Sequence, residues 1–178
     1  MLESSDSPIH QMKLITRPIQ FDNRGHFEEI FRMNDFGTEV PQFVQDNLSF
    51  SKKDVLRGMH FQDHQWQVLT VLAGCILDVT IDINPASPSF LKTNIVEMQF
   101  EINNQLLIPP GVAHGFCVNS NEVTLHYKSS ILYGDSNQYG IAWDSDELRD
   151  SWPKGSWELS ARDSSFPQLR EFLNNPTA

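Results

Sequence analysis

The stretch GCILDVTIDI, Gly74 to Ile83, alternates apolar and polar residues with a period of two. Leu77, Val79, Ile81 and Ile83 fall on one face, and Asp78, Thr80 and Asp82 on the other. This is the pattern of a half-buried strand with its apolar face toward a core. The following NPASPSF, Asn84 to Phe90, carries two prolines and two serines, which end strand pairing and mark a loop. Downstream, NIVEMQF, QLLIPP, AHGFCV and EVTLHYKSS read as further strands, broken by NN, PPG and NSN. Such spacing suits a sandwich or barrel. Helical patterning is confined to DELRDSW and FPQLREFLNN near the end of the chain. The expected fold class is all-β: an antiparallel jelly-roll (cupin-like) β-sandwich with short C-terminal helices and an inner cavity able to hold a ligand.

A chain of 178 residues without a compositional break is most simply one domain spanning 1–178. The serine- and aspartate-rich start, 1–11, and the closing NNPTA, 174–178, are expected to be flexible ends. Twelve Phe, four Trp and three Tyr imply an aromatic-rich interior. The net charge of -10 excludes a nucleic-acid-binding surface, which needs a basic face. Cys75 and Cys117 are too few for a disulfide framework and suit small buried hydrophobes. No apolar run approaches a membrane span, and the N-terminus lacks the basic start and apolar centre of a secretory leader. A cytoplasmic protein is expected.

Two histidine-bearing stretches carry the chemistry: VLRGMHFQ, Val55 to Gln62, and IPPGVAHGF, Ile108 to Phe116. Brought together by a folded sheet, their imidazoles could transfer protons or hold a metal. Alternation places His114, Phe116 and Val118 on one face, and Val123, Leu125 and Tyr127 on one face of the next strand. His114 and Tyr127 then look inward, with His126 on the outer face. Arg57 and His60 fall on opposite faces of a regular strand. For both to serve one site the strand must bulge, and Gly58 is the residue that makes a bulge inexpensive.

FDNRGHFEEIF (Phe21 to Phe31), FVQDNLSFS (Phe43 to Ser51), VLRGMHFQ, ASPSF, QLLIPPGVAHGF, Tyr127–Lys128, IAWDSDEL, SWP and LSARD (Leu159 to Asp163) appear in order along the chain. In this the sequence resembles the RmlC family, the dTDP-4-dehydrorhamnose 3,5-epimerases of the cupin superfold, from about Met12 to Asp163. The resemblance implies a cofactor-independent isomerase acting on a nucleotide-linked 4-keto-6-deoxyhexose. His60 would be the base, Asp163 its partner carboxylate, and Tyr127 the acid on the opposite face of the ring. Arg24, Glu29, Gln45, Asn47, Arg57, His114 and Tyr133 match binding positions, with arginine suited to a diphosphate and Tyr133 to the base. It further implies a homodimer, with FDNRGHFEEIF reaching the partner's site. Taken singly, Arg24, Arg57 and Glu29 read as ordinary surface ion pairs.

One departure stands out. Family members usually carry a lysine where this chain has Gln67, a donor without charge. This points to slower proton abstraction, reaction at a single carbon, or a different sugar, unless Lys52, Lys53 or Lys128 substitutes. The short loop DHQWQ puts Trp66 near the mouth of the site. Two other readings stay open. Pro109, Gly111 and His114 with His60, Gln62 and His64 suggest a metal-dependent cupin, although glutamine is a poor ligand beside histidine. A catalytically silent sugar-nucleotide binding protein on the same fold is the other.

Overall fold

The consecutive stretches QVLTVLA and CILDVTID form strands β7 (Gln67–Ala73) and β8 (Cys75–Asp82), yet they belong to different sheets. Between them Gly74 takes φ +84°, and a Cβ there would lie 2.1 Å from the Glu122 carbonyl oxygen. Only glycine makes so sharp a change of direction at so close an approach. The structure, a computed structural model, describes residues 3–135 and 137–175. Its other strands are β1 (Glu3–Asp6), β2 (Lys13–Thr16), β3 (Ile19–Asp22), β4 (Gly25–Glu28), β5 (Gln45–Lys52) and β6 (Leu56–Phe61). They continue as β9 (Thr93–Gln99), β10 (Asn104–Ile108), β11 (Val112–Val118), β12 (Glu122–Ser129) and β13 (Tyr139–Gly140).

One sheet runs β1-β2-β10-β7-β12-β5 and faces a second, β13-β6-β11-β8-β9, while β3 and β4 form a separate hairpin. The strand pairs within these sheets are antiparallel. This is the expected all-β jelly roll. Between the sheets pack Ile9, Met12, Leu69, Val71, Ile76, Met98, Phe116, Val118, Val123 and Leu125.

The outer faces are also covered, which corrects the reading of β8. Val79, Ile81 and Ile83 do not enter the inter-sheet core; they pack outward beneath Ile141, Leu148, Trp152, Leu169 and Phe172 of the C-terminal segment. The polar face of β8 turns inward instead, with Asp78, Thr80 and Asp82 at most 2% exposed. Each has local partners: Asp78 meets His114, Thr80 Oγ1 donates to the Asn94 carbonyl, and Asp82 accepts from Ser87 and Ser89. A strand in a three-layer arrangement is buried on both faces, so alternation alone does not tell which face is inside.

The outer face of the other sheet is covered by residues 31–43, where Phe36 and Val40 close over Ile15, Trp66, Val68 and Leu107. Trp66, expected at the mouth of the site, therefore lies on the far side of its sheet. Glu3–Asp6 pairs with Lys13–Thr16, which makes β1 the outer strand of its sheet, and Ile9 and Met12 are buried. At the other end, DELRDSW makes a single 3-10 turn, Arg149–Ser151, before Pro153, because proline disfavours helix at the residue preceding it. FPQLREFLNN forms α1 (Leu169–Asn174), started by a reciprocal cap between Gln168 and Glu171 and held by burial of Leu169 and Phe172. Asn174 and Asn175 are thus part of this helix end, and 176–178 lie outside the described residues. No helix among the described residues is long and apolar enough to cross a membrane.

Candidate active site

The pairing of β6 with β11 is irregular where it matters. His60 faces His114 and Arg57 faces Phe116, so three steps along β6 match two along β11. The additional residue is accommodated at Gly58–Met59, a cis peptide with Gly58 at φ +123°. A Cβ on Gly58 would lie 2.5 Å from Gly115 Cα, so glycine is required twice over, by conformation and by contact. The bulge brings Arg57 and His60 to the same cavity, as one shared site demanded.

That cavity, about 160 Å³, lies between the sheets and is lined by Ser49, Arg57, His60, Gln67, Leu69, His114, Phe116, Leu125, Tyr127 and Gln138. His60 projects from one sheet and Tyr127 from the other. Behind His60, the Asp163 carboxylate accepts from Nε2 at 2.8 Å and from the Gly58 N–H at 3.2 Å. One side chain therefore braces both the imidazole and the bulge that carries it. With the Nε2 proton directed at Asp163, Nδ1 keeps the lone pair that can take a proton. Burial pushes the Asp163 carboxyl up, but the His60 hydrogen bond and charge with the Gly58 N–H outweigh it and hold the group below 3.8. Phe166 meets the His60 ring edge-on at 5.7 Å.

A second histidine-carboxylate pair stands beside the first. His114 Nδ1 is 3.2 Å from Oδ2 of the fully buried Asp78. Burial raises the Asp78 carboxyl pKa despite the opposing pull of His114. Arg57 reaches across to β5, its Nε donating to Ser51 Oγ at 2.8 Å and a terminal nitrogen to the Phe50 carbonyl at 3.2 Å. Among the described residues no three His, Cys, Asp or Glu side chains gather in a metal-holding arrangement.

Of the residues singled out in the sequence, His60, Asp163, Tyr127, Arg57, Gln67 and His114 come together. Gln45 and Asn47 occupy β5 in the same alternating row as Ser49 and are bonded to each other at 2.8 Å. Gln45 also accepts the Tyr133 N–H at 2.7 Å, while the Tyr133 ring is 91% exposed. Arg24 and Glu29 are not brought to this cavity by their own chain. Arg24 is paired with Asp22 on the β3–β4 hairpin, and Glu29 with Arg17 and Arg32. Lys128 binds Asp46 at 2.5 Å on the outer face and sits over Phe31, and Lys52 and Lys53 are exposed at the end of β5. None of these lysines lines the cavity. His126 is on the outer row as expected, bonded to Asp46 at 2.9 Å.

Sequence reasoning missed Asp78, assigned to the solvent side, and Gln138, which lies in a turn-rich stretch where no period holds. Ser49, Leu69, Phe116 and Leu125 were legible in principle, each two residues from a chosen position on its strand.

The family model for dTDP-4-dehydrorhamnose 3,5-epimerase matches residues 6–171. The chain belongs to this epimerase family. A dTDP-4-dehydrorhamnose 3,5-epimerase of Shigella flexneri is 40% identical over 157 residues, covering 84% of this chain and 87% of the relative. The crystal structure of the Legionella pneumophila RmlC epimerase in complex with dTDP-4-keto-L-rhamnose superposes with a TM-score of 0.88 at 34% identity, covering 96% of this chain and 94% of that one. A 3'-monoepimerase of Streptomyces bikiniensis in complex with dTDP-quinovose gives 0.86 at 28% identity, over 93% and 87%. Epimerases of this family share the two-sheet frame described here, and the matched region runs from β1 into α1.

Proposed function

We propose that this epimerase inverts the carbons flanking the ketone of a dTDP-4-keto-6-deoxyhexose, at C3 and C5, with no cofactor. The observation that carries the reading is the Asp163-braced His60 on one wall and the Tyr127 hydroxyl on the other, with the cavity between them. His60 Nδ1 takes the acidic carbon proton, and the C–H electron pair passes into an enolate whose charge rests on the ketone oxygen. The Tyr127 O–H returns a proton to the opposite face, and both side chains then exchange protons with solvent. No electron acceptor is needed, since the proton that leaves is replaced. Arg57, Gln67 and His114 supply donors for the oxygens of the sugar.

The cavity is smaller than the roughly 300–1,000 Å³ usual for ligand sites of drug size, so the nucleotide must lie across its rim. A homodimer supplies what one chain leaves distant. Arg24 and Glu29 of the hairpin region would complete the partner's site, with Tyr133 and the Gln45–Asn47 pair beside the nucleotide. Supporting this, the hairpin exposes Phe21 and Phe27, and the sheet-edge strand β5 exposes Leu48 and Phe50, each more than half accessible. Such apolar exposure on an edge strand marks a docking surface.

NMR of a dTDP-4-keto-6-deoxy sugar in D2O tests the reading. Wild type is expected to incorporate deuterium at both carbons and His60→Asn at neither; exchange by His60→Asn equal to wild type would overturn it. Because Gln67 is neutral, a second reading is a single-carbon epimerase, selected if only one position exchanges.

A further inference from the structure

We infer that Arg17 is a positioning residue for the partner subunit's site: its buried guanidinium clasps the base of the β3–β4 hairpin and fixes the direction in which that arm carries Arg24 across. This rests on the epimerase reading and its dimer. The hairpin does not set its own direction. It is a two-stranded sheet apart from the two large ones, exposed from Gln20 to Phe27, and two strands by themselves are marginal in water. Its turn presents Arg24, whose side chain is 85% exposed. Where the arm points is therefore decided where it joins the body.

Arg17 stands at that junction, just ahead of Pro18 and β3, and is 5% exposed. Its backbone N–H donates to the Asn103 carbonyl at 3.1 Å and its Nε to Gln105 Oε1 at 3.2 Å, which tie it to β10 and the residue before that strand. Nη1 donates to Glu29 Oε1 at 3.0 Å and lies 2.7 Å from Asp35 Oδ2. Glu29 directly follows β4, so one guanidinium joins the chain entering the arm to the chain leaving it. Asp35 adds the 3-10 turn Met33–Asp35, and Arg32 Nη2 donates to Glu29 Oε2 at 2.6 Å. Two guanidiniums against two carboxylates leave the cluster neutral, which suits a buried ion pair. A planar fork holds its partners at fixed angles, whereas an ammonium is a point charge on a flexible stem.

A clasp that only stabilised its own subunit would act on that subunit's site or on none. A clasp that aims the arm acts on the partner's site, and mixed dimers separate the two cases.

The test compares wild type, Arg17→Lys, Arg24→Ala, the Arg17→Lys/Arg24→Ala pair and Asp35→Ala, each as the dimer. Two quantities are measured: Kd for dTDP, and the rate of deuterium exchange into dTDP-4-keto-6-deoxyglucose. Arg17→Lys keeps the charge and loses the fork. It should raise Kd for dTDP by roughly tenfold, the worth of one hydrogen bond to a charged group, with kcat within twofold of wild type. Asp35→Ala leaves the Arg17–Glu29 bond in place and should raise Kd in the same direction; it replaces Arg17→Lys in every comparison if that variant does not fold. In the double variant the loss should fall short of the product of the single losses, because an arm without Arg24 has less to aim. Mixing Arg17→Lys with His60→Asn and assaying below KM should restore up to about a quarter of the wild-type rate, since half of randomly mixed dimers then hold one site with its own His60 and an intact partner arm. A Kd for Arg17→Lys within twofold of wild type, full additivity, or no recovery after verified subunit exchange would each overturn the inference while the epimerase reading stood. Arg24→Ala without effect on Kd would overturn the partner-site reading beneath it, and a wild-type protein that exchanges no deuterium would overturn the epimerase reading itself.

Discussion

At the scale of single residues the proposed mechanism divides its labour between two walls. Tyr127→Phe should suppress net epimerisation more than solvent exchange, because the His60 side can still return deuterium to the face it deprotonated. Equal losses of the two signals in the NMR experiment would remove Tyr127 from the role of opposite-face acid. Asp163 carries a pH signature. Its folded pKa lies below the ordinary 3.8, so its ionised form stabilises the fold fully above that value, and the contribution is lost as pH falls through the lower folded value. The difference in urea-unfolding free energy between wild type and Asp163→Asn should shrink as pH falls below 3.8. Gln67 tests charge directly. Gln67→Lys should accelerate exchange by on the order of tenfold, since a charged donor is about twice as strong as a neutral one. No gain at either carbon, with binding intact, would show that the absent charge is not limiting.

At the scale of elements, the β6 bulge is the device on which the site depends. Without it Arg57 and His60 would point to opposite sides of the sheet. Gly58→Ala should destabilise the protein by on the order of 3 kcal/mol, combining a disfavoured φ with a backbone contact at 2.5 Å. Denaturant titration measures this, and an unchanged midpoint would contradict the close packing of β6 on β11. Strand β8 makes the complementary point, since its polar face supports His114 from inside the sandwich. Asp78, its pKa raised by burial, keeps its proton to a higher pH in the folded state than in the unfolded chain. Stability should therefore fall as pH rises above 3.8 toward the raised value. In Asp78→Asn that contribution to the slope should be absent when unfolding is measured across the same range.

At the scale of the whole molecule, the exposed hairpin and β5 edge lead to a prediction about assembly. Wild type should be a dimer by light scattering, and Phe50→Glu should shift it toward monomer with loss of activity. Mixing Arg24→Ala and His60→Asn proteins should restore up to about a quarter of wild-type activity, because half of randomly mixed dimers carry one intact site out of two. No recovery after verified subunit exchange would place Arg24 outside the partner's site. The sequence by itself determined the strand class, through period-two runs and the turns between them. It also determined that His114 shares a face with Phe116, and Tyr127 one with Leu125, because alternation within one strand is a local property of the backbone. The pairing of His60 with Asp163, 103 residues apart, was implied by the family resemblance and not by any local pattern. Only the tertiary structure decided which face of β8 is inside, since covering layers on both sheets bury polar and apolar faces alike. It alone moved Trp66 away from the cavity, brought Gln138 to it, and left Arg24 on a hairpin, and Glu29 just past that hairpin, outside. Those placements depend on contacts between segments distant in the chain, and no local periodicity encodes which distant segment will cover a given face.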